Sequence, residues 1–151
     1  MQNKTRCPDS ILAPILAHAA QAVGATLDGV SVKITQGHGA KMAGLAYRDT
    51  MAIKLTLPKC GPDSVDLAYR FWALCAHELG HIRDYQSLLR GENLEFSHYA
   101  NAHSQRAMRH DSRPQEIRAE KYVAEARARI ASGELQDAPI LDLAIYFEGV
   151  R

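Results

Sequence analysis

Residues 63–91, DSVDLAYRFWALCAHELGHIRDYQSLLRG, decide the fold. Asp63 or Ser64 offers an N-cap oxygen and Gly91 a stop, so the stretch reads as one helix to about Leu89. At roughly 100° per residue, Ala68, Phe71, Trp72, Cys75, Leu79, Ile82 and Leu89 gather on one side. His77 and His81 fall nearly opposite, with Arg70, Leu74, Asp84 and Leu88 near them. A stripe of that kind packs on a sheet and leaves the two histidines facing a cleft.

Inside the helix stands His77-Glu78-Leu79-Gly80-His81, an H-E-x-x-H pattern. Residues four apart stack on one helix face, so the two imidazoles point at the same place. Two imidazoles so placed suit a divalent metal, most often zinc, and the Glu between them suits a general base acting on water at that metal.

Before this helix, Val30, Val32 and Ile34 alternate with Ser31, Lys33 and Thr35, which predicts a half-buried strand ended by Gly37-His38-Gly39. Residues 43–47 and 51–57 predict two more strands joined across Arg48-Asp49-Thr50. Three short strands so close together predict a small antiparallel sheet. Earlier still, Ser10 as N-cap, with Ile11, Leu12, Ile15, Leu16, Ala19 and Val23 on one side, predicts an amphipathic helix ending near Gly24. Lys4 and Arg6 before that apolar run resemble a signal peptide only superficially, because Asp9, Pro14, His18 and Gln21 interrupt it and no cleavage pattern follows.

After residue 91 the chain is polar and irregular, with a short helix expected near Ser97–Met108. Pro114 then opens a helix running through Glu116-Ile117-Arg118-Ala119-Glu120 to about Ala131, before Gly133. A last helix follows Asp137 and Pro139, burying Ile140, Leu143, Ala144 and Phe147. The expected class is α+β, with residues 1–151 forming a single domain.

Composition narrows the function. Hydrophobic residues make up 46% and charged residues 23%, a globular balance rather than a disordered or membrane-spanning one. A net charge of +1 gives no global case for nucleic acid or an anionic membrane. Cys7, Cys60 and Cys75 are odd in number and widely spaced, which fits a reducing, cytoplasmic setting better than a disulfide framework. Arg106, Arg109, Arg113, Arg118, Lys121, Arg127 and Arg129 concentrate positive charge, partly offset by Asp111, Glu120 and Glu125. A solvated charged helix is the plainer reading of that run, with nucleic acid kept only as a secondary partner. Trp72 reads as core.

A catalytic zinc site takes three protein ligands and leaves one position open. The residue six after His81 is Ser87, which excludes the extended metzincin pattern. Cys75 points to the core and Cys60 lies in a loop. His98 or His103 would serve as the third His does in SprT-like proteases. Glu116 is the stronger candidate, lying early in a helix with Glu120 one turn further on the same face.

H-E-L-G-H at 77–81 followed by Glu116 and Glu120 resembles the gluzincins, whose second motif is a Glu ligand with an acidic or amide residue four further on. The small size, the short sheet before the active-site helix and the Ala119/Tyr122/Ala124 pattern look most like the minigluzincins and the ImmA/IrrE metallopeptidases. Glu120 departs from them, since Asp or Asn is more usual there.

The resemblance implies a zincin-like fold, a peptide or protein substrate, and zinc held by His77, His81 and Glu116. It implies Glu78 as general base, and Glu120 as acceptor for the other ring N–H of His77. Tyr99, His103 and His110 are candidates for the transition-state-stabilising side chain because they fall between the two metal-binding helices. It also implies that an edge strand, expected at 51–57, pairs with extended substrate. Two rivals stand beside this expectation. One is a zinc-binding regulatory module without turnover; the other is an SprT-like protease acting on DNA-bound protein.

Overall fold

The computed structural model describes residues 1–92 and 109–150. Among them, four strands, β1 (Gln2–Lys4), β2 (Ser31–Gln36), β3 (Ala43–Tyr47) and β4 (Ala52–Leu57), form one sheet in the order β1-β2-β4-β3. Four helices complete the fold: α1 (Asp9–Val23), α2 (Ser64–Leu89), α3 (Pro114–Ala131) and α4 (Leu141–Gly149). The architecture is α+β, as expected. The Ser97–Met108 helix falls outside the described residues.

The sheet is mixed, which corrects the antiparallel expectation. β1 pairs parallel with β2, β2 pairs parallel with β4, and only β3 and β4 are antiparallel. The cause is a skipped slot. After β2 the chain runs on to the far edge as β3, and β4 then returns by a hairpin into the gap, which makes it parallel to β2. The crossing is tight at Gly37, whose N–H donates to Leu57 O at 2.8 Å. A Cβ there would lie 2.7 Å from Thr56 Cγ2 and 2.9 Å from Lys41 O. A second consequence corrects the edge: residues 52–57 are interior, and the free edge beside α2 belongs to β3.

α1 begins at Asp9 rather than after a Ser10 cap, with Pro8 in the capping position and no side-chain cap bond. Its other end is as expected, with Gly24 at φ 78° in the left-handed region that glycine enters without strain. α2 is capped by Asp63, whose Oδ1 accepts from Asp66 N–H at 3.0 Å.

α2 is the axis of the molecule, touching α1, α3, α4, β3 and β4. Most of the expected stripe is buried: Ala68, Phe71, Trp72, Cys75, Leu79 and Ile82 all lose their exposure, whereas Leu89, the last residue of α2, stays 76% exposed. They join Leu12 and Ile15 of α1, Ile34, Ile53, Leu55 and Leu57 of the sheet, and Leu143 and Phe147 of α4 in one hydrophobic cluster. Each such large side chain contributes about 1.5–3 kcal/mol on burial. Trp72 is core, and its indole N–H donates to His18 Nδ1 at 2.9 Å. The stripe is not the whole story, because α3 covers the other side. His81 and Asp84, expected to face an open cleft, are buried as well.

Candidate metal centre

His77 and His81 stand one turn apart on α2, their rings edge to face with centroids 4.9 Å apart. The third group comes from the first turn of α3, where Pro114 at the helix start costs no backbone bond and Glu116 sits at the positive end of the helix dipole. His77 Nε2 lies 2.8 Å from Glu116 Oε2, and His81 Nε2 lies 3.2 Å from Glu116 Oε1. The donor atoms of all three fall within 4.8 Å of one another, the one His/Cys/Asp/Glu group among the described residues arranged to hold a metal ion.

The donor set suits a divalent metal. Zinc bonds of about 2.0–2.1 Å in a tetrahedron would place donors roughly 3.3 Å apart, and the two His–Glu separations are 2.8 and 3.2 Å. The Glu116 carboxylate accepts hydrogen bonds from the ring N–H groups of the two histidines. Burial alone would raise the Glu116 carboxyl, but hydrogen bonds from His77 and His81 outweigh it and hold the group well below the usual carboxylate range. Burial would lower His77, yet the bond to Glu116 and the charges of Glu78, Glu116 and Glu120 raise it.

Glu120 approaches His77 from the side away from Glu116. Its Oε1 lies 2.7 Å from His77 Nδ1, though off the ring N–H direction, so that nitrogen has no formed hydrogen bond. His81 Nδ1 is likewise buried with no partner among the described residues. His110 stands in a 3₁₀ turn just before α3, with Nε2 3.4 Å from Glu116 Oε1 and most of its ring in solvent. Tyr99, His103 and His98 lie outside the described residues.

Glu78 is only 6% exposed. Burial raises its pKa, a shift that the charges of His81 and His77 oppose in part. It fits because β3 gives way: a Cβ on Gly44 would lie 2.6 Å from Glu78 Oε1. The edge strand therefore passes directly against this carboxyl group. The cleft beside it, about 410 Å³, is lined by Met42, Gly44, Leu74, His77, Glu78 and Glu120, together with Arg70 and Arg127.

Three features were not expected. Tyr85, one turn past His81, stacks on it at 6.3 Å, and burial together with the Glu78 and Glu116 charges pushes its hydroxyl up to about 12. Its place four residues after His81 was the available signal. Asp84 is neither solvated nor a ligand. At 1% exposure it takes two bonds from Arg118, at 2.9 and 3.1 Å, and one from the Tyr122 hydroxyl at 2.6 Å. That clamp ties α2 to α3, and Arg118 is thereby withdrawn from the basic run. Gly80 lets the helices close, since a Cβ there would meet Tyr122 Cδ2 at 3.2 Å and Ala119 Cα at 3.4 Å.

Comparison with protein-family models, with curated proteins and with solved structures finds no match to this chain.

Proposed function

We propose that this chain is a zinc-dependent peptidase with a zincin-like fold of the gluzincin kind. The observation that carries the reading is the convergence of His77, His81 and Glu116 beside a buried Glu78, all against an open strand edge. Zinc held by those three side chains would supply Lewis acidity, polarising a peptide carbonyl and making water a stronger acid.

The chain's own residues do the rest. Glu78 takes the proton of the attacking water on its carboxylate and delivers it to the leaving amine, and a raised pKa suits both halves of that task. Among the described residues no strand pairs with the outer side of β3, where extended peptide can add as a further strand. Gly44 places that strand against Glu78, so the peptide bond arrives beside its base. Tyr85 packs on His81 and stays protonated at neutral pH. His110 is the described residue best placed to meet developing charge from the solvent side.

Glu116 within reach of both histidines supports this reading over the SprT-like alternative, which needs a third His. All three cysteines are free, and among the described residues no helix is long and apolar enough to cross a membrane. Our reading of the setting is cytoplasmic.

The experiment is peptide-library cleavage by wild type and Glu78→Gln, both loaded with zinc. Gln keeps size and hydrogen bonding but accepts no proton, so turnover should fall at least ~10²-fold with zinc content unchanged. Equal cleavage rejects the mechanism. No cleavage by wild type, with zinc bound, favours the regulatory module.

A further inference from the structure

β1, β2 and β4 run the same way, so their carboxyl ends, Lys4, Gln36 and Leu57, lie along one side of the sheet. The segments that leave them share a cavity. Lys4, Thr5 and Arg6 after β1, Gly37 and His38 after β2, and Lys59 after β4 line a space of about 700 Å³, bounded also by Tyr146 at the end of α4. Small-molecule sites commonly measure about 300–1,000 Å³, and the carboxyl ends of parallel strands are where open sheets bind ligands. The metal centre is elsewhere and shares no lining residue with this cavity.

The charge of the cavity is one-sided. Lys4, Arg6 and Lys59 are exposed cations, and no acidic side chain is found among the described residues that line the space. None of the three cations enters an ion pair among the described residues. The walls that carry them are fixed. Gly39 O accepts from Lys59 N–H at 2.7 Å and from Cys60 N–H at 3.1 Å, tying the His38 loop to the Lys59 loop. On the other side the Thr5 hydroxyl donates to Asn3 Oδ1 at 2.7 Å and accepts from Cys7 N–H at 3.0 Å, which holds the Lys4–Arg6 turn.

We propose that this cavity binds a small organic phosphate, of the size of a sugar or nucleoside monophosphate. Arg6 offers a guanidinium fork that matches a phosphate's oxygens, and Lys4 and Lys59 add charge that a dianion uses better than a single carboxylate. Tyr146 gives the organic part a flat wall. The proposal is independent of the peptidase reading.

The test is an amide-shift titration of the full chain with AMP, ribose 5-phosphate, adenosine and citrate, with a short DNA duplex as a further arm. AMP or ribose 5-phosphate should shift Thr5, Gly37, His38 and Lys59, while adenosine and citrate bind at least ~10-fold more weakly. A response to AMP alone identifies a nucleotide, and a response to both a phosphorylated sugar. Arg6→Gln and Lys59→Gln, both exposed and so not needed for folding, should each weaken binding about 10-fold. The proposal is overturned if phosphates bind nowhere, if the shifts cluster at His77 and His81, if both variants bind like wild type, or if DNA displaces AMP and binds more tightly.

Discussion

Gly44 leaves the room that the Glu78 side chain fills: a Cβ on Gly44 would lie 2.6 Å from Glu78 Oε1, 2.7 Å from its Cγ and 2.8 Å from its Cδ. The strand that receives substrate in our reading and the base that acts on it are therefore set by one contact.

Gly44→Ala should displace the Glu78 carboxylate without touching a metal ligand. The expected outcome is a fall in peptide turnover of at least ~10-fold, unchanged zinc stoichiometry, and a stability loss of about 1–3 kcal/mol from overpacking. Turnover at the wild-type rate would show that Glu78 need not hold this position.

Zinc should bind at one ion per chain. Glu116→Ala removes a ligand and should weaken binding by more than the ~10–100-fold typical of groups that only orient a ligand, which is the range expected for Glu120→Gln. His98→Ala and His103→Ala should bind like wild type. Chelator competition reads all four, and loss of zinc in a His variant with retention in Glu116→Ala would transfer the third ligand to that histidine.

The metal-free protein should carry a pH signature of its own. His77 is raised above 6.5, so its contribution to stability is full below that pH and lost as pH rises through the folded value. Glu116 is lowered from 4.5, so its contribution is full above that pH and lost as pH falls through the folded value. The two act together between 4.5 and 6.5. Thermal melts in chelator should show the widest gap between wild type and Glu116→Gln in that window. Glu78 loses stability as it ionises over part of the same range, which is why the difference between the two proteins is measured. A gap that widens above pH 7 without metal would contradict the pairing.

The Asp84 clamp should be structural. Asp84→Ala leaves Arg118 and the Tyr122 hydroxyl without their acceptor, and removing one partner of a buried pair costs about 3–5 kcal/mol. Arg118 keeps some access to water, so the lower end is expected, while Tyr122→Phe should cost about 1 kcal/mol. Urea unfolding reads both. An Asp84→Ala variant as stable as wild type would mean that α3 is held by its apolar contacts alone.

Much of this was legible in local pattern. The stripe of α2, its Asp63 cap, the Pro114 start of α3 and the same-face histidines are all encoded within a few turns of chain. Glu116 was reachable because Glu120 repeats one turn later.

What escaped was set by distant contacts. β1 is three polar residues, Gln2-Asn3-Lys4, with no alternation to detect, and it exists because β2 offers it an edge. The β4 insertion between β2 and β3 leaves no mark in any strand's own sequence. The burial of Asp84 was not legible because a helical projection shows one apolar side and says nothing of a second helix covering the other.

The Asp84–Arg118 clamp and the Gly80–Ala119 approach fix where α3 lies on α2, whatever route the chain takes between the two helices. Residues 93–108 thus connect ends that are already held in place. Two metal ligands ride on α2 and the third on α3, so the spacing of His77, His81 and Glu116 is carried by this helix-to-helix seam: a change at Gly80 or Asp84, which touches no ligand, would still move Glu116 relative to the histidines.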